Sequence, residues 1–289
     1  MPEHPVDAPE NRPPGAALRE IYDNTPYLSL KHTSYFHVYE TLLSRFVGQQ
    51  FTFVEIGVLN GGSLAMWRRY FGPQARIVGI DMNPAALRWQ DAGFEIFIGD
   101  QADPAFWDGL RNLLGPVDVL LDDGGHTNVQ QITTVGHALP LVRDGGLVIV
   151  EDVHCSYFTE FGNPSGDSFI SFAKRLVDQV NARYPHLPRS SPDWSGTVAS
   201  IRFFESIVAF DVDRRLCFTS APTSNRGESV QAKDFRYEAG WEARLKDWQS
   251  RLEPRWAQVP LLWRVKLLFP HLFGALARWK SRRLGRRYG

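Results

Sequence analysis

The feature of the sequence that most limits the fold is a regular alternation of short apolar runs with helical patterns. The run Phe51–Ile56 ends at a glycine, a helical pattern covers Leu64–Phe71, and a second apolar run, Arg76–Ile80, ends at Asp81. Strands that alternate with helices in this way form βαβ units, in which the strands are parallel. The pattern therefore predicts an α/β domain.

The alternation continues along the chain. Three more strands are predicted at Glu95–Ile98, Val117–Leu121 and Gly146–Val150, with helical patterns between them. Val198–Phe204 and Ile207–Asp211 have the composition of an antiparallel pair that closes the sheet. We predict a doubly wound, mostly parallel, seven-stranded Rossmann-like sheet, because such strands need helices on both faces to cover them.

The sheet and its helices predict one domain over residues 16–220, with an insertion or lid at about 158–196. Its first part, about Leu18–Val47, carries apolar residues at helical spacing and predicts a helical prelude. Residues 1–15 are polar and proline-rich, so we expect a disordered leader and no secretory signal. Residues 221–289 are predicted to form a C-terminal extension.

The extension ends in a strongly basic segment. From Arg255 to the C-terminus there are nine Lys or Arg residues and no Asp or Glu, and apolar residues lie between them. This pattern predicts a basic amphipathic helix that lies on an anionic membrane, on its own domain or in a dimer. The rest of the chain is acidic and has no motif for base stacking, which argues against nucleic-acid binding.

The chain contains two cysteines and no apolar stretch of the length that spans a bilayer. We therefore expect a cytoplasmic protein. Peripheral contact with the inner face of the membrane through residues 255–289 remains one alternative, and a homo-oligomer is another open possibility.

Polar or glycine residues follow every strand of the predicted parallel sheet, at the edge where such sheets bind ligands. The first turn reads EIGVLNGGS, from Glu55 to Ser63, and its glycines allow the backbone to approach a ligand closely. Asp81, at the next strand end, is suited to accept hydrogen bonds from two ribose hydroxyls. Asp100 and Gln101 follow the third strand, where Asp100 either contacts an adenine edge or caps a helix. Together these signals predict an adenosine-bearing cofactor with a charged amino-acid end.

Carboxylates and histidines are concentrated after the fourth and fifth strands, in the motifs DDGGH (residues 122–126) and EDVH (residues 151–154). Like charges repel strongly in a partly buried cleft unless a cation neutralises them, and Mg²⁺ or a close substitute prefers oxygen ligands. His126 is suited to act as a general base near neutral pH. The alternatives are acids that cap helices or face solvent, and a histidine with a structural role.

The motifs FVEIGVLNGGSLAMW, VGID, GDQAD, LLDDGGH and VIVEDVHCSY together resemble those of metal-dependent sugar O-methyltransferases of the mycinamicin and tylosin macrolide type. The resemblance covers about Leu18 to Asp213. It implies the class I methyltransferase fold with S-adenosylmethionine as the methyl donor. It also implies Asp123, Glu151 and Asp152 as ligands of Mg²⁺ (or Mn²⁺), and His126 as the base for a sugar hydroxyl.

The remaining candidate residues divide between donor and acceptor. We assign to the donor site Glu55, Gly57, Asn60, Gly61, Ser63, Asp81, Asp100, Gln101 and Asp122. On the acceptor side we assign His154, Tyr157 and Phe158, whose aromatic rings either stack on a sugar or pack within the protein. Two departures from the family pattern, Gly125 and the pair Gln130-Gln131, concern the acceptor side.

The sequence leaves the acceptor open. The predicted activity is methylation of a sugar hydroxyl in a glycoside, glycolipid or polysaccharide precursor, and a catechol-like phenol is the alternative within enzymes. A nucleotide-binding module without catalysis would use the glycine turn and Asp81, yet it would not account for the acids of the two later loops. The glycine spacing also differs from the GxGxxG of NAD-binding enzymes.

Overall fold

The computed structural model describes residues 15–161, 166–185, 187 and 192–228, and, further on, 240, 243–244, 247–248, 250–251, 271 and 274–286. The chain divides into two compact units, Met1–Ala221 and Pro222–Gly289, close to the boundary expected between domain and extension. Apart from Gly15, the expected leader lies outside the described residues. The same holds for part of the expected lid and for most of residues 255–273.

The first unit is built on one seven-stranded sheet. Its strands are β1 (Thr52–Ile56), β2 (Arg76–Asp81), β3 (Glu95–Ile98), β4 (Val117–Asp122), β5 (Val142–Val150), β6 (Val198–Phe204) and β7 (Ile207–Val212). Their order is β3-β2-β1-β4-β5-β7-β6, and β7 runs antiparallel to the other six strands. The order reverses between β1 and β4, which is where doubly wound sheets bind ligands. The predicted fold class is confirmed.

Helices cover both faces of the sheet. Those of the described part of the first unit are α1 (Ala16–Asp23), α2 (Tyr35–Leu43), α3 (Gly62–Phe71), α4 (Pro104–Leu114), α5 (Asn128–Leu141) and α6 (Phe169–Asn181). The first three helices pack in one hydrophobic core and the last three in another. Along β1, Phe53 faces the first core and Val54 the second, as expected for a strand covered on both faces.

The register of the central strands aligns three functional loops. Ile56 of β1 pairs with Asp122 of β4, and Asp122 pairs with Val150 of β5. Gly57, Asp123 and Glu151 follow these residues directly. The glycine turn and the two acidic motifs therefore leave the sheet side by side at its carboxyl edge.

The start of α5 is fixed by a capping box. The Thr127 side chain accepts a hydrogen bond from the Gln130 backbone N–H, and the Gln130 side chain accepts one from the Thr127 backbone. This reciprocal pair satisfies two backbone donors that a helix start otherwise leaves open. His126, directly before the cap, thus has its backbone position set by the helix.

The helical prelude is present as predicted, but in two pieces. A connector, residues 24–34, joins α1 to α2. The Asn24 side chain donates a hydrogen bond to the Glu20 carbonyl at the end of α1, and Pro26 has no N–H for a helical bond. The apolar periodicity of the sequence does not reveal this break.

The expected insertion contributes a helix to the domain itself. Phe169 and Leu176 of α6 are buried in the second core, so this helix helps to cover the sheet. A lid role remains an expectation for the rest of residues 158–196. Among the described residues, no helix has the length and hydropathy needed to cross a membrane.

Candidate active site

A cavity of about 600 Å³ lies at the carboxyl edge of the sheet, beside the strand-order reversal. This volume is typical of sites for small molecules and cofactors. Five residues predicted to bind the donor line it, namely Gly57, Asn60, Ser63, Asp81 and Gln101. Asp123, His126 and Asp152, predicted for metal and catalysis, line the same cavity.

The glycine turn brings the backbone of β1 against the DDGGH loop. Gly57 has φ 92°, and a Cβ at this position would lie 2.0 Å from the carbonyl oxygen of Asp123. Gly61 has φ 73°, and a Cβ there would lie 2.2 Å from the Trp89 ring. Gly61 is therefore needed for the shape of the turn, although it is not among the residues that line the cavity.

Asp81 holds the glycine turn in place. Its carboxylate accepts hydrogen bonds from the backbone N–H groups of Val58 at 2.8 Å, Leu59 at 3.3 Å and Asn83 at 2.8 Å. Each carboxylate oxygen can accept more than one hydrogen bond. Its assignment to a ribose therefore remains a prediction that is compatible with these contacts.

Glu55 lies beneath the turn and not on the cavity wall. It is fully buried and accepts hydrogen bonds from Ser63 Oγ at 2.8 Å and Trp67 Nε1 at 3.0 Å, both on α3. Burial raises the pKa of Glu55 to about 7, although nearby Lys31 acts to lower it. The structure thus gives Glu55 the role of anchoring α3 under the donor turn.

Of the pair after β3, Gln101 enters the site and Asp100 caps a turn. Asp100 Oδ1 accepts from the Ala102 backbone N–H at 2.8 Å. Buried Gln101 donates to Asp122 Oδ1 at 2.9 Å and accepts from the Gly125 N–H at 3.1 Å. Asp122 is also buried, and burial raises its pKa. These contacts place Asp122 behind the cavity wall.

Gly125 and Gln130, which depart from the family pattern, occupy the same space. A Cβ on residue 125 would lie 2.3 Å from Oε1 of Gln130. A larger residue at position 125 would therefore require the Gln130 side chain to leave its place in the capping box.

Asp123, His126 and Asp152 converge at the end of the cavity near β4 and β5. One ligand atom from each of the three lies within 4.8 Å of the others, and His126 Nε2 is 3.4 Å from Asp152 Oδ2. His126 has φ 59° and Asp152 has φ 52°, a backbone region that costs energy for residues other than glycine. Two such residues at one site indicate that the fold enforces this arrangement.

Glu151, the third predicted metal ligand, is directed into the protein. Its carboxylate accepts hydrogen bonds from Tyr39 Oη at 2.6 Å and from Lys31 Nζ at 2.9 Å. Burial raises the pKa of Glu151 well above its ordinary value, against the opposing effect of Lys31. Glu151 is thus next to Asp152 in sequence and next to Asp123 at the edge of the sheet. It is nevertheless outside the 4.8 Å group that Asp123, His126 and Asp152 form.

Lys31, which the sequence analysis did not single out, is the cation among these acids. Its Nζ lies 2.6 Å from Asp123 Oδ2, 2.9 Å from Glu151 Oε2 and 3.9 Å from Glu55 Oε1, and its side chain is 1% exposed. Burial alone would lower the pKa of Lys31, but attraction to the three carboxylates outweighs it and raises the pKa well above its ordinary value. Lys31 therefore stays charged.

Asp152 also belongs to a second group of ligand-type atoms, with His32 and His154. The Tyr35 hydroxyl donates to Asp152 Oδ1 and contacts Ser206 Oγ, which lies within hydrogen-bond distance of His154. Tyr35 and Ser206 could not be recognised from the EDVH motif, because both are remote from it in sequence. They fix the outer side of the site.

The aromatic residues predicted for the acceptor lie at the outer edge. Tyr157 and Phe158 are 59% and 46% exposed, and the Phe158 ring meets His154 edge-on at 5.8 Å. Phe161 lies 6.4 Å from His126, ring centre to ring centre. Exposed rings beside a catalytic candidate suit contact with a ligand better than a role in the core.

The carboxylates at this end of the cavity fit a hard divalent cation. Asp123 and Asp152 offer carboxylate oxygens on the cavity wall, and Glu151 is next to them. The Nδ1 atom of His126 is buried without a hydrogen-bond partner among the described residues. Carboxylate oxygens are the ligands that Mg²⁺ prefers, usually with some water retained.

A comparison with protein families finds a match with a model described as "Methyltransferase domain", over residues 54–153. This stretch runs from β1 to the loop after β5 and contains the glycine turn, the DDGGH motif and the first three residues of EDVH. Residues 54–153 are therefore similar to a methyltransferase domain.

The chain is also similar to two O-methyltransferases of the genera Streptomyces and Micromonospora. This chain is 33% identical over 199 residues to 8-demethyl-8-alpha-L-rhamnosyl tetracenomycin-C 2'-O-methyltransferase of Streptomyces olivaceus. The aligned region covers 62% of this chain and 52% of the relative. The chain is 33% identical over 160 residues to mycinamicin VI 2''-O-methyltransferase of Micromonospora griseorubida, covering 50% and 39%. The chain thus spans about half or less of these relatives' length.

The solved structure of the MycE methyltransferase from the mycinamycin pathway, in complex with Mg, SAH and mycinamycin VI, has a TM-score of 0.61 to this chain. The identity is 26%, and the alignment covers 78% of this chain and 58% of MycE. These comparisons confirm the resemblance to sugar O-methyltransferases that the sequence motifs indicated.

Proposed function

We propose that this protein is an S-adenosylmethionine-dependent O-methyltransferase that acts on a sugar hydroxyl of a glycoside, glycolipid or polysaccharide precursor, assisted by Mg²⁺ (or Mn²⁺). The observation that carries the proposal is that the glycine turn and the Asp123–His126–Asp152 group line one cavity. A donor on the turn and an acceptor at the acids would therefore meet. The names of the relatives support a sugar acceptor.

The residues that would hold the donor are those that line the cavity around Gly57 and Asp81. Gly57 lets the backbone come close, Asp81 presents carboxylate oxygens, and Asn60, Ser63 and Gln101 add polar groups. When bound, S-adenosylmethionine supplies an electrophilic methyl group, and a divalent cation at Asp123, Asp152 and Glu151 makes an acceptor hydroxyl more acidic. Orientation of the two reactants in one cavity contributes much of the acceleration.

His126 is the proposed general base. It accepts the acceptor's hydroxyl proton as the oxygen forms its bond to the methyl carbon and the carbon–sulfur bond breaks, which leaves a neutral thioether. The proton is accepted at Nε2, because Nδ1 is buried, and Asp152 Oδ2, 3.4 Å from Nε2, stabilises the imidazolium that results. Tyr157 and Phe158, exposed at the edge, are proposed to contact the acceptor.

Calorimetric titration with S-adenosylhomocysteine, with and without Mg²⁺, tests both parts of the site. We expect binding of S-adenosylhomocysteine to the wild-type protein, and Mg²⁺ binding that Asp123→Ala weakens by about a hundredfold or more, since a ligand to the metal is lost. Asp118→Ala is the control, because this aspartate of β4 contacts Arg143 and lies away from the cavity. Failure of S-adenosylhomocysteine to bind would contradict the proposal.

A screen of acceptors with labelled donor then distinguishes the substrate classes. Glycosides with free neighbouring hydroxyls are expected to be methylated, and methylation of catechols alone would favour the phenolic alternative. A protein that binds S-adenosylhomocysteine but methylates neither class, with Mg²⁺ present, would correspond to the non-catalytic alternative.

The second unit supports a proposal of contact with an anionic membrane. Residues 274–286 are helical, and in this helix Trp279 is 59% exposed with the Arg283 guanidinium 5.8 Å from its ring centre. Exposed aromatic and basic residues on one helix suit the interface of an anionic bilayer. The cytoplasmic location and the contact with the inner membrane face remain proposals.

Co-sedimentation with phosphatidylserine-containing vesicles tests this contact. Replacing Arg278, Lys280, Arg282 and Arg283 by serine is expected to weaken partitioning by about tenfold or more, because each basic residue near such a surface contributes on the order of 1 kcal/mol. Pure phosphatidylcholine vesicles are the control. Equal partitioning of both proteins would remove the membrane role of the helix.

A further inference from the structure

The connector, residues 24–34, is part of the wall of the donor cavity. Leu28, Ser29 and Leu30 line this cavity, and the Tyr22 hydroxyl donates to the Ser29 carbonyl at 2.7 Å. A Cβ on Gly62, at the start of α3, would lie 2.4 Å from the Tyr27 carbonyl oxygen. The connector therefore packs closely on the glycine turn that we assign to the donor.

Lys31 is the next residue of the connector, and its ammonium ends among the acids. The two shortest ion pairs, at 2.6 Å and 2.9 Å, are made with Asp123 and Glu151, each at the end of a different strand. In the part of the chain that the structure describes, no other Lys or Arg nitrogen is recorded within ion-pair distance of these two carboxylates. Lys31 thus offsets part of the charge of the pair, and no second Lys or Arg in that region contributes.

A divalent cation that is ligated by both Asp123 and Glu151 competes with this ammonium. Lys31 Nζ holds Asp123 Oδ2 and Glu151 Oε2, and Tyr39 Oη holds the other carboxylate oxygen of Glu151. Mg²⁺ binds carboxylate oxygens at about 2.0–2.1 Å in near-octahedral geometry. Because both oxygens of Glu151 are already occupied, a cation on Glu151 must replace one of these partners. Their positive charges would also repel each other strongly in so buried a place. Both cations cannot hold Asp123 and Glu151 in the arrangement that the structure shows.

We propose that Lys31 is the counter-ion of the metal-free site and that a divalent cation binds by displacing its ammonium from Asp123 and Glu151. This inference rests on the proposed function. Displacement of Lys31 shifts the connector to which it belongs, and the connector lines the donor cavity. Metal loading and the shape of the donor cavity are thereby linked through one residue.

The test compares wild-type protein with Lys31→Met and Lys31→Arg by Mg²⁺ calorimetry and thermal unfolding. Without its competitor, the site of Lys31→Met is expected to bind Mg²⁺ about tenfold or more tightly than wild type, a change of about 1.4 kcal/mol. In EDTA this variant is expected to unfold at a lower temperature, because its buried acids lack a cation. Lys31→Arg keeps the charge and should bind Mg²⁺ much as wild type does. Lys174→Met, on exposed α6 surface, is the control.

Equal or weaker Mg²⁺ binding by Lys31→Met would overturn the inference and leave the proposed function intact. Absence of Mg²⁺ binding by every variant and by wild type would overturn the metal assignment and the inference together, while S-adenosylhomocysteine binding would still report on the donor site.

A second measurement on the wild-type protein does not depend on the folding of a variant. The buried Lys31 should become a trypsin cleavage site as Mg²⁺ is added, which mass spectrometry of the fragments detects. Sodium chloride of matched ionic strength is the control. Unchanged cleavage after Lys31 at saturating Mg²⁺ would overturn the inference.

Discussion

Replacement of His126 by alanine is expected to slow methyl transfer by about 10²–10⁴-fold, the contribution typical of a positioned general base. S-adenosylhomocysteine affinity should stay within about twofold, because the residues that line the donor end of the cavity are unchanged. Single-turnover rates with an acceptor found in the screen measure the first effect, and calorimetry measures the second. His37→Ala, an exposed histidine on α2, is the control.

The same variant separates two roles that the geometry allows for His126. Its ring is grouped with Asp123 and Asp152 as well as facing the cavity, so it could ligate a cation instead of accepting a proton. If His126 acts only as a base, His126→Ala should bind Mg²⁺ with unchanged affinity and should lose methyl-transfer rate. Mg²⁺ affinity reduced in proportion to the rate would assign His126 to the metal, and full activity would remove it from the mechanism.

The substitution Gly57→Ala is expected to abolish measurable S-adenosylhomocysteine binding, a loss of about a hundredfold or more. The new Cβ would lie 2.0 Å from the Asp123 carbonyl oxygen and 2.8 Å from its carbonyl carbon, and both are backbone atoms. The φ of 92° adds strain for any residue with a side chain. The turn must therefore move away from the DDGGH loop, which disturbs donor and metal positions together.

Gly109→Ala is the matched control for this prediction. Gly109 lies within α4, with no heavy atom within 4 Å of the Cβ position, so alanine should stabilise the helix by up to about 1 kcal/mol. Circular dichroism establishes that both variants fold before calorimetry. Donor binding by Gly57→Ala at wild-type affinity would show that the cavity does not hold the donor as we propose.

The position of the site was predictable because it depends on strand ends. Each strand of the parallel part can be recognised as an apolar run, and parallel strands bring their carboxyl ends to one edge. Register then places Gly57, Asp123 and Glu151 next to each other, since their preceding residues are paired across the sheet. The fold class, the donor turn and the acidic loops follow from local pattern alone.

The partners of these residues were not predictable, because they come from distant parts of the chain. Lys31 is 92 residues from Asp123 and Tyr39 is 112 residues from Glu151. Neither belongs to a recognisable motif, and the connector that carries Lys31 is hidden within an apolar, helix-like stretch. Glu151 was therefore assigned by motif as a metal ligand without its internal contacts, and that role stays a prediction.

Because β7 is antiparallel, the turn before it contributes to the active site, and a fragment with activity would have to include it. The turn between β6 and β7 lies at the same edge as the acidic loops, where the Ser206 carbonyl accepts from the Val153 N–H at 3.1 Å and its hydroxyl meets Tyr35. Residues 54–153, which match the family, thus include the reacting groups but not Lys31, Tyr35 or Ser206 around them. A shortened protein limited to that stretch would keep most of the motif residues, but it would lose the side chains that position them.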